Sequence, residues 1–241
     1  MVDTENIVET FTELAPRYEE TMDGELQELW GIAYPDFVND IVESIPVQEG
    51  DLVLDVATGT ARIPLAFLRQ AAVPCHVVGL DITPAMLQGG LVDIRARSLT
   101  DKLHLVCGSA MEMPFADGLY DVITCGLGMH HLEVSRTLCE MGRLLKEGGN
   151  LVLVAVCAPR LWRIFPVSVI LRLAVFVYFW LTNNRARARA ESSAVGNIHT
   201  AEEWRQILAD LGFSNIIVRS EFVGRRFWYP NSLMINARKG V

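Results

Sequence analysis

LDVATGTARIP, residues 54 to 64, decides the fold. An apolar run ending at Asp55 is followed by small residues at 57, 59 and 61, and then by a helical pattern. This is the layout of a strand, a tight turn and a helix. A dinucleotide-binding turn needs G-x-G-x-x-G so that its backbone can approach a pyrophosphate. Here only Gly59 is glycine, with Ala57 and Ala61 in the other small positions. No Gly-Lys-Ser/Thr follows, which excludes a P-loop. The turn admits a ligand closely but is poorly suited to phosphates.

Outward from this turn, short β-rich runs alternate with helical stretches, as in βαβ units. DLVLDV (51–56), HVVGLD (76–81), LHLVCG (103–108), YDVITCG (120–126) and NLVLVAV (150–156) read as parallel strands. Helices are predicted near 62–72, 84–98 and 133–146, the last ended by Gly148 and Gly149. TAEEWRQILADLGF (200–213) carries an N-cap at Thr200, a capping box with Glu203 and a stop at Gly212. NIIVRSEFV and the run around SLMINAR read as two further strands, an antiparallel pair. The first 45 residues look helical, broken at Pro16 and Pro35, and are placed to cover the carboxyl edge of the sheet. The expected fold is α/β: a doubly wound, seven-stranded, mostly parallel Rossmann-like sheet with an antiparallel final strand, N-terminal helices and a hydrophobic helical insertion. Residues 1–241 are read as one domain: a helical cap (1–48), a cofactor-binding core (49–157), a lid insertion (158–198) and a C-terminal helix with a strand pair (199–241).

Half of the residues are hydrophobic and the net charge is −8, a globular composition that argues against a general nucleic-acid binder. The five cysteines form no Cys-x-x-Cys pair and sit mostly in apolar runs, which predicts buried, reduced thiols and no metal site. The opening MVDTENIVETF lacks the basic start and apolar run of a signal peptide, so a cytoplasmic location is expected.

In an open α/β sheet the ligand lies beyond the carboxyl ends of the strands. Asp81 ends the second strand, 26 positions after Asp55, where a carboxylate can accept hydrogen bonds from both hydroxyls of a ribose. An adenosine without phosphates satisfies both this carboxylate and the glycine-poor turn. The competing reading of Asp81 is a cap for the helix beginning at Pro84.

With these residues in place, the chain resembles the class I S-adenosylmethionine-dependent methyltransferases, in the branch of the ubiquinone and menaquinone methyltransferases. VLDVATGTAR resembles the first motif of that family, VVGLDITPAML the second, GSAMEMPFADGLYDVITCGLGMHHL the third and fourth, and EMGRLLKEGGNLVLV the fifth. The resemblance runs over residues 8 to 157 and resumes weakly from 199. It implies S-adenosyl-L-methionine as the cofactor. Asp55, Ala57 and Gly59 would then border its methionine end, Asp81 would hold the ribose, and Ile82 and Met86 would pack near the adenine. Tyr18 resembles the aromatic that closes over the cofactor, with a plain amphipathic-helix residue as the alternative.

The chain departs from the family pattern at two places. The first glycine is Ala57, which costs roughly 1–2 kcal/mol if the position is left-handed. The common acidic residue of the third motif is Ser109, which leaves Ala110 to offer its backbone amide to the adenine.

Methyl transfer asks for a general base only when the accepting atom must lose a proton. His130 is the candidate, with His131 behind it, because both follow the fourth strand at the cofactor-facing edge. The recurrence of His-His-Leu across many acceptor chemistries of the family favours a positioning role.

Between the fifth strand and the TAEEW helix lies PRLWRIFPVSVILRLAVFVYFWLTNNRARARAESSAVGN. From Val167 to Leu181 only Ser168 and Arg172 are polar. A lid or dimerisation helix, giving a homodimer, is the preferred reading. A peripheral membrane contact through 163–189 at the inner face, with Arg185, Arg187 and Arg189 meeting anionic headgroups, comes next, and a spanning helix last. The functional expectation is an S-adenosylmethionine-dependent methyltransferase acting on a small lipophilic acceptor such as an aromatic natural product. A C-methyltransferase of quinone biosynthesis, or a lipid methyltransferase, is the alternative, and a non-catalytic cofactor-binding protein is the alternative of another class.

Overall fold

The computed structural model of the chain describes residues 3–70, 73–159, 162, 164–226 and 228–240. It opens with α1 (Thr4–Leu14), α2 (Tyr18–Leu29) and α3 (Tyr34–Glu43). Pro16 sits in a 3-10 turn between the first two, and Pro35 in the first turn of α3, where a missing N–H leaves no helical bond unmade. Then come β1 (Leu52–Val56), α4 (Arg62–Gln70), β2 (His76–Asp81), α5 (Pro84–Ala96), β3 (Leu103–Cys107), β4 (Tyr120–Gly126), α6 (Val134–Leu144) and β5 (Leu145–Cys157). The insertion forms α7 (Phe165–Thr182) and α8 (Arg185–Ala194), and the chain closes with α9 (Ala201–Asp210), β6 (Phe213–Ser220) and β7 (Asn231–Lys239).

Among the described residues, seven strands make one sheet in the order β3-β2-β1-β4-β5-β7-β6. β1 to β5 run parallel and β7 is antiparallel to both of its neighbours, the sheet expected from the sequence. Its strands are apolar on both faces because helices cover both. Leu54, Ile123 and Leu151 pack on one side with Leu138 of α6 and Trp204 of α9. Val53, Val122 and Val152, one residue away in each strand, pack on the other with Phe37 of α3 and Phe67 of α4. The Thr200–Glu203 capping box forms, and Gly212 takes a positive φ at the end of α9.

Four expectations are corrected. The helix predicted over 133–146 stops at Leu144, because Leu145 pairs with Tyr120 and starts β5. Gly148 and Gly149 therefore lie inside an irregular first part of that strand and cap no helix; a Cβ on Gly149 would come within 2.9 Å of a backbone carbonyl. Cys107 and Cys139 are exposed thiols, while Cys75 and Cys125 are buried. Arg187, which the second reading of the insertion set at a lipid surface with Arg185 and Arg189, is buried. The helix predicted over 62–72 is described to Gln70; Ala71 and Ala72, and Arg160, Leu161 and Arg163 of the insertion, lie outside the described residues.

Candidate cofactor and acceptor cavity

The strand order reverses between β1 and β4, and there the carboxyl ends of the strands open into a cavity of about 580 Å³. That size falls within the roughly 300–1,000 Å³ of small-molecule sites. The turn after β1 and the ends of β2 and β4 form its floor, while α1, α2, α7 and α8 wall and roof it.

The turn is built from left-handed residues in alternation: Ala57 at φ +55°, Gly59 at +54° and Ala61 at +58°. Two alanines thus hold a conformation that costs an L-residue roughly 1–2 kcal/mol. Backbone bonds hold them there, with Thr58 N donating to Leu80 O at 3.0 Å and Ala61 N to Thr58 O at 2.9 Å. A Cβ on Gly59 would lie 3.1 Å from Met86 Cε and 3.9 Å from Tyr18 Cε1, so glycine keeps the cavity floor open.

Asp55 does not line the cavity. Its carboxylate is buried under the turn, accepting from Thr58 Oγ1 and Thr124 Oγ1, each at 2.7 Å. Burial raises its pKa to about 6, against the two hydroxyls that favour the charged form. Asp55 therefore braces the turn, and of the three residues expected together here Ala57 and Gly59 line the cavity.

Asp81 lines the cavity. It accepts from Gly59 N at 2.9 Å through Oδ2 and from Thr83 N at 2.8 Å through Oδ1. The first bond ties β2 to the turn after β1; the second holds Thr83, and it is Thr83, not Asp81, that takes the N-cap position of α5. Burial raises its pKa and these amides pull it back down. A carboxylate accepts about four hydrogen bonds. The Thr83 hydroxyl and Ile82 N also approach it closely enough to lower its pKa.

Ile82, Met86, Ser109 and Ala110 line the same end. The Ser109 hydroxyl accepts from Met111 N at 3.2 Å, which turns it toward its own loop. Tyr18, at the start of α2, stands edge-on to Phe11 and Tyr34 at 6.4 and 6.3 Å between ring centres. Burial and then the Asp81 charge raise its pKa, so its hydroxyl stays protonated.

His130 and His131 follow β4 in a 3-10 turn, their ring centres 4.1 Å apart. Both line the cavity, yet each Nδ1 is buried and has no hydrogen-bond partner among the described residues. Burial lowers their pKa values to about 3 and about 4, with a smaller effect on His131 from the charge of Arg187. The rings are neutral at pH 7, and as proton acceptors they are weak.

Sequence reasoning missed the polar end contributed by α8. Arg187 pairs with Glu25 of α2, lies 3.6 Å from Glu191 and covers the Phe179 ring at 4.8 Å. A carboxylate oxygen of Glu191 and one ring nitrogen of each histidine lie within 4.8 Å of one another. Arg187 already supplies the positive charge beside that carboxylate. The only available signal was the i,i+4 spacing of Arg187 and Glu191, which a solvated helix shares.

A model of the ubiE/COQ5 methyltransferase family matches residues 2–179. The chain belongs to the ubiE/COQ5 methyltransferase family. It is an enzyme of S-adenosylmethionine-dependent methyl transfer on a Rossmann-like fold. The ubiquinone/menaquinone biosynthesis C-methyltransferase of Geotalea uraniireducens is 27% identical over 227 residues, covering 88% of this chain and 89% of that one. A demethylmenaquinone methyltransferase of Symbiobacterium thermophilum is 36% identical over 134 residues, 55% of this chain, and the matched part spans half the length of that relative. Among solved structures, the [4+2]-cyclase SpnF superposes with a TM-score of 0.68 at 18% identity, covering 96% of this chain and 97% of that one. That likeness is one of fold.

The residues present fit the cofactor of this family. Asp81 presents a carboxylate at the cavity wall, Gly59 has no side chain to crowd Met86, and Ile82 and Ala110 give an apolar slot at the same end. When bound, S-adenosylmethionine supplies a methyl group already activated on a sulfonium.

Proposed function

We propose that this chain methylates a ring carbon of a lipophilic hydroxylated aromatic acceptor, a phenol or quinol with an apolar tail. The observation that carries the proposal is the continuity of the cavity. From the Asp81 end it extends to an apolar half walled by Ile7 and Phe11 of α1 and by Leu171, Val175 and Phe179 of α7. The names of the relatives, quinone-biosynthesis C-methyltransferases and demethylmenaquinone methyltransferases, support this narrower choice within the broader class of aromatic acceptors.

Because the transferred methyl is already activated, the protein has to hold the acceptor in line and exclude water. The apolar walls do the second. His130 and His131, held neutral, accept hydrogen bonds from an acceptor hydroxyl and so orient the ring. A non-catalytic role is disfavoured, because a cofactor-binding protein without a reaction has no use for the apolar space beyond Asp81.

The test uses methyl-labelled S-adenosylmethionine and a short-tailed reduced quinol. The expected outcome is S-adenosylhomocysteine together with label in a methyl bound to ring carbon. Label on oxygen, or no turnover with any reduced quinol or phenol, overturns the proposal.

A further inference from the structure

α7 has two apolar faces, and the cavity uses one. Leu171, Ala174, Val175, Tyr178 and Phe179 line the cavity. On the opposite side Phe165, Val169, Ile170, Leu173 and Leu181 are exposed, from 53% for Val169 to 80% for Phe165. At 100° per residue these five fall within one half of the helix. A helix apolar all round is normally buried in protein or in lipid. None of the 18 residues of α7 is buried, and their mean hydropathy is 1.8.

The surroundings of this face say what covers it. The net charge of the chain is −8, yet residues 164–198 carry four arginines against one glutamate, Glu191. Arg187 is held inside by Glu25, while Arg172, Arg185 and Arg189 are exposed along α7 and at the start of α8. Beside the cavity mouth Trp228 is 47% exposed with the Arg226 guanidinium over its ring at 5.6 Å. An apolar face edged by arginine and tryptophan matches the hydrocarbon boundary of a bilayer with anionic headgroups. A second copy of the chain would meet the same arginines with its own.

We infer that the outer face of α7 docks on an anionic membrane surface, with the helix lying in the interface while its inner face roofs the cavity. The C-terminal end of α7 turns back to the same body: Asn184 caps α8 and bonds Glu13 of α1, and Ala186, Ala188, Ala190 and Ala194 are buried. The helix therefore lies along the bilayer. The overall negative charge does not prevent this, since charges beyond about 8–10 Å are screened at physiological salt and the local arginines dominate. One helix would then be both lid and membrane contact, and an acceptor dissolved in lipid would reach the cavity without crossing water.

Flotation of the full chain with vesicles tests this without any acceptor, so its failure leaves the proposed reaction untouched. Binding is expected to phosphatidylglycerol–phosphatidylcholine vesicles, and weaker binding to phosphatidylcholine alone and at high salt. The double variant Ile170→Asp with Leu173→Asp should bind the anionic vesicles about tenfold or more less tightly, with its circular dichroism and S-adenosylmethionine binding unchanged. Arg185→Ala and Arg189→Ala should each cost roughly fivefold. No vesicle binding by the unsubstituted chain, or undiminished binding by the double variant, overturns the inference. So does a dimer in solution that Leu173→Asp dissociates while vesicles stay unbound, for then the occupant is a second copy.

Discussion

At the strand ends the cavity wall is backbone, while at α7 and α8 it is side chain. The floor consists of three left-handed residues, one of them a glycine against which Met86 packs closely and whose amide points at Asp81. The roof is an apolar helix with no buried residue and a second helix anchored by four buried alanines and the buried Arg187. The first half can hold one ligand chemistry, because backbone directions are fixed by the sheet. The second sets only size and polarity, so change there can alter the acceptor and leave the cofactor in place.

The largest effect expected from breaking this arrangement comes with acid. His130 and His131 have folded pKa values of about 3 and about 4, below the ordinary value of 6.5. The unfolded chain therefore binds more protons between those limits, and stability falls as the pH drops below about 6.5. Between pH 7 and 5 the two together should cost about 2–4 kcal/mol. The buried Asp55, with its pKa raised to about 6, works in the opposite direction, because its folded form takes up a proton first. The test is thus a difference: denaturation of the chain and of a His130→Gln, His131→Gln variant at pH 7 and 5. Equal acid sensitivity of the two would show that the histidines are not enclosed.

Arg187→Ala should come next, at about 2–3 kcal/mol. It leaves Glu25 and Glu191 without their cation, discounted because the Glu25 side chain is 35% exposed. Arg185→Ala and Arg189→Ala should change thermal stability by less than about 0.5 kcal/mol. If all three arginines behave alike, α8 is not anchored as described.

These three arginines also show where the sequence runs out. RARARAE alternates without a period that separates inside from outside, and the partner of Arg187 lies 162 residues away. The five parallel strands, the capping box and Asp81 were legible because each rests on local geometry: a period, a turn, or a residue at the end of a strand. Asp55 ends its strand as Asp81 does, and nothing local tells that its carboxylate turns under the loop to Thr58 and Thr124. The β5 boundary was misplaced because Gly148 and Gly149 serve a bulged strand as well as they would a helix stop.

The smallest effect concerns the floor itself. Ala57→Gly should stabilise the chain by about 0.5–1 kcal/mol, the left-handed strain relieved less the extra freedom glycine gains when unfolded. A loss of stability on this change would mean that the turn carries no strain.

The central claim is that the backbone-built half of the cavity holds S-adenosylmethionine through Asp81. Isothermal calorimetry of Asp81→Ala, with the fold checked by circular dichroism, measures it directly. Losing a charged acceptor of ribose hydroxyls should weaken binding by about 10- to 150-fold, or roughly 1.5–3 kcal/mol. Unchanged affinity in a folded variant would contradict the account.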